Sequence, residues 1–214
     1  MEQEIKNFLK IPEDNISKGW SVFDGHIAMQ NRFAYDAIYS LIEAIRPDTI
    51  VEIGTAQCGL TRFLRRVCDI VTPTTQVISY DISKGPRKND SITDSIDFRL
   101  ENCFHIEKKP ENIPTQQKLF KTIRDSRRCI VLCDGGSKIH EFNVIGPHMS
   151  SGDIIMAHDY AHSKDVYKSD IQGKFWNWNE IVYSDISKTV DEHNLEYYKK
   201  EQFAEAAWGC FIKR

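Results

Sequence analysis

Apolar positions along the chain follow two alternating periods. Short β-branched runs, "TIVEIG", "QVISYDI", "SIDFRL", "RCIVLCDG" and "GDIIMAHD", read as strands, and several lack in/out alternation. A strand without alternation is one covered on both faces, as in a parallel sheet. Between these runs the apolar residues recur at helical spacing. Phe33, Ala37, Ile38, Leu41, Ile42 and Ile45 mark a helix from Arg32 to Ile45, which Pro47 stops. Further helices are expected from Leu60 to Cys68, from about Thr115 to Arg124, and from Lys138 to His148. Strands alternating with helices predict an α/β fold with a parallel sheet and right-handed crossovers.

The pattern changes toward the end of the chain. "FWNWNEIVYSDISKTVDEHN" predicts one long helix, and "LEYYKKE" and "AAWGCFIKR" predict two strands with a short connection. Trp208, Cys210 and Ile212 alternate, which gives the last strand one buried face. Such a terminal antiparallel hairpin is foreign to a plain dinucleotide-binding fold. "SKGPRKNDSITD" and "EKKPENIP" are polar and rich in helix breakers, so both read as loops, the first with a weak helix. Without repeats or Gly/Ser linkers, the chain reads as a single domain at 47–214 with a helical segment, 1–46, packed on it.

Composition narrows the function classes. The 214 residues suffice for one full core, and 41% hydrophobic with 28% charged residues is ordinary for a soluble protein. A net charge of -3 carries no electrostatic footprint for nucleic acid. No apolar stretch approaches the roughly 20 residues of a membrane span. The start, "MEQEIKNFLK", lacks the apolar core of a signal peptide, so a cytoplasmic protein without membrane or nucleic-acid partners is expected. Cys58, Cys68, Cys103, Cys129, Cys133 and Cys210 form no C-x-x-C pair and read as buried thiols in a reducing compartment.

The stretch "TIVEIGTAQCGLTRFL" turns a strand into a helix through an acid and two glycines. Gly54 allows a backbone approach that a Cβ would block, and free N–H groups at the helix start favour a polar or anionic ligand group. Glu52 sits at the strand end, where an acid suits an amino-bearing ligand better than a pyrophosphate. Asp81 follows Glu52 by 29 residues, at the end of "VISYD". In a βαβ unit this is the neighbouring strand, where a carboxylate accepts hydrogen bonds from ribose hydroxyls. Turn and acids together point to a nucleoside ligand.

"VEIGTAQCG" and "YDIS" resemble the first two motifs of class I S-adenosylmethionine (SAM)-dependent methyltransferases. Over most of the chain a narrower resemblance holds, to the cephalosporin-hydroxylase-like and rhamnosyl O-methyltransferase families. It is carried by Gly25, Gln30, Pro47, Asp48, Ile50, Glu52 and Gly54, and by "CIVLCDGGSKIHEFNVIGPHMSSGDIIMAHDY". The chain departs from the pattern at Cys58-Gly59, where two glycines are usual, and at a histidine that is replaced by Ser137 or displaced to His140. The resemblance implies a Rossmann-like, seven-stranded, mostly parallel sheet with helices on both faces and a C-terminal antiparallel hairpin. It implies SAM as cofactor and transfer of a methyl group to a hydroxyl of a small molecule or sugar. It assigns Glu52 to the SAM amino group, through water or backbone, and Gly54, Thr55, Ala56 and Gly59 to the methionine moiety. Asp81 would hold the ribose, Ile82 would lie against the adenine, and Glu101 and Asn102 would reach its edge.

A second constellation comprises Asp134, at the end of "CIVLC", and His158 and Asp159, at the end of "DIIMA". If the two strands are neighbours, the three side chains converge beside the SAM site. In resembling families the corresponding acids hold Mg²⁺, which would bind an acceptor hydroxyl and lower its pKa. A histidine ligand tilts the preference from Mg²⁺ toward Mn²⁺ or other transition metals. Alternatively His158 is a general base, or Asp134, His158 and Asp159 are structural. His140 and His148 read as helix-surface residues, His162 as a loop residue, and Lys138 and Arg128 as solvated charges. Trp176 and Trp178 would wall an acceptor pocket or pack a helix. Rival functions are a metal-dependent oxidoreductase, with His158, Asp159 and His162 as a two-histidine, one-carboxylate set, and a non-catalytic SAM- or nucleotide-binding domain. The aromatic-rich C-terminal region would support a homodimer.

Overall fold

The computed structural model describes residues 1, 3–10, 20–83, 85, 90–104 and 113–214. The five apolar runs form β1 (Thr49–Ile53), β2 (Gln76–Asp81), β3 (Asp97–Leu100), β4 (Cys129–Cys133) and β5 (Ile154–His158). β6 (Leu195–Tyr197) and β7 (Trp208–Lys213) complete a seven-stranded sheet of order β6-β7-β5-β4-β1-β2-β3. The first five strands are parallel, and β7 runs antiparallel to both β5 and β6. This is the expected Rossmann-like α/β fold with its terminal hairpin. The hairpin connection carries a short helix, Lys200–Ala204.

Every residue of β1, β4 and β5 is buried, as their uninterrupted apolar runs require. Successive side chains point to opposite faces. Ile50, Ile130 and Ile154 join α1 (Arg32–Ile45) and α2 (Gly59–Val71) in one core layer. Val51, Val131 and Ile155 join α3 (Ile113–Asp125), α4 (Lys138–Ile145) and α5 (Tyr183–Glu192) in the other. Each large apolar side chain so buried contributes about 1.5–3 kcal/mol.

The N-terminal segment is not purely helical. A helix, Gln3–Lys6, and a three-stranded antiparallel sheet of Leu9–Lys10, Val22–Phe23 and His26–Ile27 precede α1. Asn31 caps α1 by accepting from the Phe33 and Ala34 N–H groups. Arg62 of α2 is buried and pairs with Asp24 and, at 2.8 Å, with Asp90, which ties this sheet and the loop before β3 to the domain.

Two elements differ from the pattern. α4 stops at Ile145 and continues to His148 only as a 3₁₀ turn. The long helix expected over 175–194 is split. Its first part, through Glu180, is irregular, and Ile181–Val182 pairs in parallel with Tyr160–Ala161. Helix begins at Tyr183, where Asp185 accepts from the Val182 N–H at 2.9 Å. Side chains of 175–180 bond into the site instead, as described below. Within "SKGPRKNDSITD" a one-turn helix, Ser91–Asp94, is capped by Asp90. Residues 107–112 of "EKKPENIP" lie outside the described residues, and Ile113 and Pro114 begin α3. All six cysteines are buried and reduced. Among the described residues, no helix is long and apolar enough to cross a membrane.

Candidate active site

Strand register decides which residues meet. Ile53 pairs with Cys133 and Tyr80, Cys133 with Ala157, and Trp208 with His158. Gly54, Asp81, Asp134 and His158 therefore arrive side by side at the carboxyl edge of the sheet. Because β7 is antiparallel, its first residue, Trp208, joins them.

Two cavities open at this edge. The first, about 390 Å³, is lined by Asp81, Ile82, Glu101, Asn102 and Phe104. The second, about 260 Å³, is lined by Trp20, Met29, Lys138, His158, Trp176 and Trp178. Gly54, Ala56 and Asp134 are walls of both. Six of the residues predicted to hold a cofactor thus line one continuous cavity wall: Gly54, Ala56, Asp81, Ile82, Glu101 and Asn102.

The turn that separates the cavities is tightly specified. Gly54 has φ +95°, and a Cβ there would lie 2.4 Å from the Asp134 carbonyl oxygen. Cys58, where relatives were expected to carry glycine, keeps the left-handed conformation at φ 69°, so the turn survives the substitution at a cost of about 1–2 kcal/mol. Asp81 holds the turn from below: its carboxylate accepts from the Ala56 N–H at 2.8 Å and from the Ser83 N–H at 2.9 Å. Thr55 lines the second cavity and is bonded to Ser79 at 2.6 Å.

Glu52 and Gly59 line neither cavity. Glu52 is fully buried beneath the turn, where one carboxylate oxygen accepts from Thr61 and Ser79, both at 2.5 Å. Burial pushes its pKa up to about 7 against the hydroxyl hydrogen bonds. Side-chain alternation aims it at α2, so it supports the turn and does not face a ligand amino group. Gly59 admits close packing: a Cβ would meet the Ile27 carbonyl oxygen at 2.5 Å.

Asp134, His158 and Asp159 do converge, with one donor atom of each within 4.8 Å of the others. His158 Nδ1 lies 2.9 Å from Asp134 Oδ1 and 3.8 Å from Asp159 Oδ1. Its ring is buried between Trp208, with centroids 4.7 Å apart, and Trp176, 5.0 Å away. Its Nε2 is buried and has no hydrogen-bond partner among the described residues. Burial would lower the imidazole pKa, but Asp134 and Asp159 outweigh it and the net shift is upward. Asp159 adopts φ 55°, a strained conformation for a residue with a Cβ. Three contacts hold it there: Trp176 Nε1 donates to Oδ1 at 2.5 Å, Lys138 lies 3.0 Å from Oδ2, and Asn179 donates to its carbonyl at 3.0 Å.

Lys138 corrects an expectation. It is buried, not solvated, with Nζ 2.9 Å from Glu180, 3.2 Å from the Gly135 carbonyl oxygen and 3.7 Å from Asp134. Burial opposes its charge, yet Asp134, Asp159 and Glu180 leave its pKa raised. The spacing of four residues from Asp134 was the available signal. Gln30 and Trp208 were also missed as site residues. Trp208 Nε1 donates to Gln30 Oε1 at 2.8 Å, and Gln30 Nε2 donates to Asp134 Oδ2 at 3.2 Å. Glu141 was missed too; it is buried, and accepts from the Gly135 and Ser137 N–H groups to fix the loop after β4.

The three other histidines weighed from the sequence, His140, His148 and His162, stand apart. His140 meets Phe104 edge-on, His148 stacks on Phe120, and His162 is exposed with Nδ1 2.9 Å from Tyr197. The two-histidine, one-carboxylate set therefore does not assemble. Arg128 is exposed, as expected, and donates to the Ile45 carbonyl.

No family model and no curated protein matches the chain. Solved structures do. An apo structure of CmcI is 15% identical, with a TM-score of 0.63 over 90% of this chain and 75% of that one. CmcI with Mg and SAM is 15% identical, with a TM-score of 0.61 over 96% and 85%. CmcI with SAH gives 15% and 0.60 over 95% and 92%. At this identity the likeness establishes the fold: over 90–96% of its length the chain shares its Rossmann-like architecture with CmcI.

Proposed function

We propose that the protein is a SAM-dependent methyltransferase that methylates a hydroxyl group of a small molecule, with cofactor in the first cavity and acceptor in the second. The observation that carries this reading is the shared wall of Gly54, Ala56 and Asp134, where the contents of two cavities would meet. CmcI, of the same fold, has been solved with SAM and with SAH, which supports the choice of cofactor.

The first cavity fits such a cofactor. Asp81 stands at the strand end with its carboxylate facing the cavity. Glu101 Oε2 is buried without a hydrogen-bond partner among the described residues, an acceptor suited to an adenine amino group. At Gly54 the backbone passes so close to Asp134 that a Cβ would clash, which keeps the turn tight where it walls the cavity. When bound, SAM supplies an electrophilic methyl group on a sulfonium.

The chain's own residues supply geometry and a proton acceptor. Trp176, Trp178 and Trp20 wall the second cavity, hold a flat or ring-shaped acceptor and exclude water. His158, a wall of the second cavity oriented through Nδ1 by Asp134, is the group placed to accept the acceptor hydroxyl proton as the oxygen attacks. Gln30 and Trp208 keep that pair from turning.

Calorimetry with SAH, followed by transfer of labelled methyl from SAM to a panel of phenols and sugars, tests the reading. Binding at one SAH per chain, with label appearing on a hydroxyl, is the expected result. Binding of NAD and not SAH would overturn it.

A further inference from the structure

The carboxylate cluster already contains a cation. Lys138 Nζ lies 3.0 Å from Asp159 Oδ2, 2.9 Å from Glu180 Oε2, 3.2 Å from the Gly135 carbonyl oxygen and 3.7 Å from Asp134 Oδ1. Its side chain is 7% exposed. The other oxygens of the two aspartates are engaged as well. Asp134 bonds His158 at 2.9 Å and accepts from Gln30 at 3.2 Å, and Asp159 accepts from Trp176 at 2.5 Å. A hard divalent ion needs about six or more oxygen ligands at roughly 2.0–2.6 Å. Here it would have to expel a buried ammonium from three oxygen partners and strip hydrogen bonds from both carboxylates.

We propose that Lys138 is the resident cation of this site: its ammonium takes the place of a divalent metal ion, and the protein works without one. That the work is methyl transfer rests on the function proposed above; that the cation is Lys138 rests on the cluster alone. Two neighbouring carboxylates, Asp159 buried and Asp134 partly so, need a counter-charge, and a lysine four residues after Asp134 provides it permanently. The three carboxylates around the ammonium hold its pKa above the usual lysine value despite burial, so it stays charged.

The replacement changes the chemistry. A metal ion coordinates the acceptor oxygen and acidifies it, whereas this ammonium has its N–H groups committed to Asp159, Glu180 and Gly135. Lys138 is thus a positioning residue. It fixes the strained Asp159 and draws Glu180 into the wall of the acceptor cavity, and proton acceptance is left to His158.

The test uses the full chain, stripped with EDTA and titrated with Mn²⁺ while free Mn²⁺ is read by electron paramagnetic resonance. Melting curves are taken in EDTA, Mg²⁺ and Mn²⁺. Wild type is expected to bind no stoichiometric Mn²⁺ and to melt at the same temperature in all three. Lys138→Ala, and Lys138→Met, which keeps the side-chain volume, uncover the carboxylates. Each is expected to bind one Mn²⁺ at least about tenfold tighter than wild type, with a melting temperature that rises with metal. Stoichiometric Mn²⁺ binding by wild type that Asp159→Asn abolishes would overturn the proposal, even if neither lysine variant folds. Folded lysine variants that gain no metal affinity would overturn it too. SAH calorimetry on the wild-type sample separates the two readings: failure of wild type to bind SAH sinks the methyltransferase function, while the Mn²⁺ titration alone decides the cation.

Discussion

The Trp208 indole lies against the His158 imidazole, ring centroids 4.7 Å apart and planes 25° apart. The same indole donates to Gln30, and Gln30 donates to Asp134, which holds His158 Nδ1. The imidazole is boxed in both position and rotation. Its pKa is set by a contest in which burial lowers it and the two aspartates raise it further.

A proton acceptor must be neutral to act. With its pKa raised, His158 is protonated below and free above a point higher than the ordinary imidazole value of about 6.5. The kcat/KM of methyl transfer is therefore expected to climb with pH through that region. His158→Gln should lose the climb and reduce turnover by about 10²–10⁴-fold. SAH affinity, measured by calorimetry, should be unchanged, because His158 lines only the second cavity.

Asp81 has two tasks, bracing the Ala56 N–H and facing the first cavity. Replacing it by alanine should weaken SAH binding by about 10–100-fold, the loss of one or two charge-assisted hydrogen bonds. A smaller fall in melting temperature should accompany it, since the turn loses a brace. Unchanged SAH affinity in this variant would remove Asp81 from the cofactor site.

Trp178 is 41% exposed and lines the second cavity, so truncating it disturbs little of the core. Trp178→Ala should raise KM for the acceptor by about tenfold with kcat nearly intact, the signature of binding shared by ground and transition states. SAH affinity is the control, and a loss there would place the tryptophan's role elsewhere.

Glu52 gives the stability an inverted pH profile. Its pKa is about 7 in the folded state against 4.5 for the free side chain, so between those values the folded protein binds the extra proton. Stability is then greatest below about 4.5 as far as this group is concerned, and falls as pH rises toward 7. The slope is up to about 1.4 kcal/mol per pH unit for a single group. Glu141, raised to about 7, and Asp153, raised to about 6, both chiefly by burial, act in the same direction. Urea unfolding of wild type and Glu52→Gln between pH 5 and 8 is expected to show a shallower decline in the variant.

The sheet and the tight turn at Gly54 were legible because their causes are local. Burial on both faces leaves uninterrupted apolar runs, and Gly54 answers to a φ that other residues resist. Glu52 was assigned to the SAM amino group, through water or backbone, by the resemblance and its strand-end position, and nothing local says that Thr61 and Ser79 wait for it inside. Lys138 looked solvated because a lone lysine on a short helix usually is; three carboxylates from three separate segments reverse that. The long helix failed for a related reason. Trp176, Asn179 and Glu180 each bond to Asp159 or Lys138, and these tertiary bonds outweigh a weak helical preference in "FWNWNE".

The placement of β7 also sets the order in which the parts of the site can form. It is the last strand of the sheet in the chain, yet it enters between β5 and β6 and delivers Trp208 to a pair with Gln30, 178 positions earlier. Contacts of such separation form late and slowly. On refolding from denaturant, the Gly54 turn, built from neighbouring strands, is therefore expected to recover before the box around His158 closes.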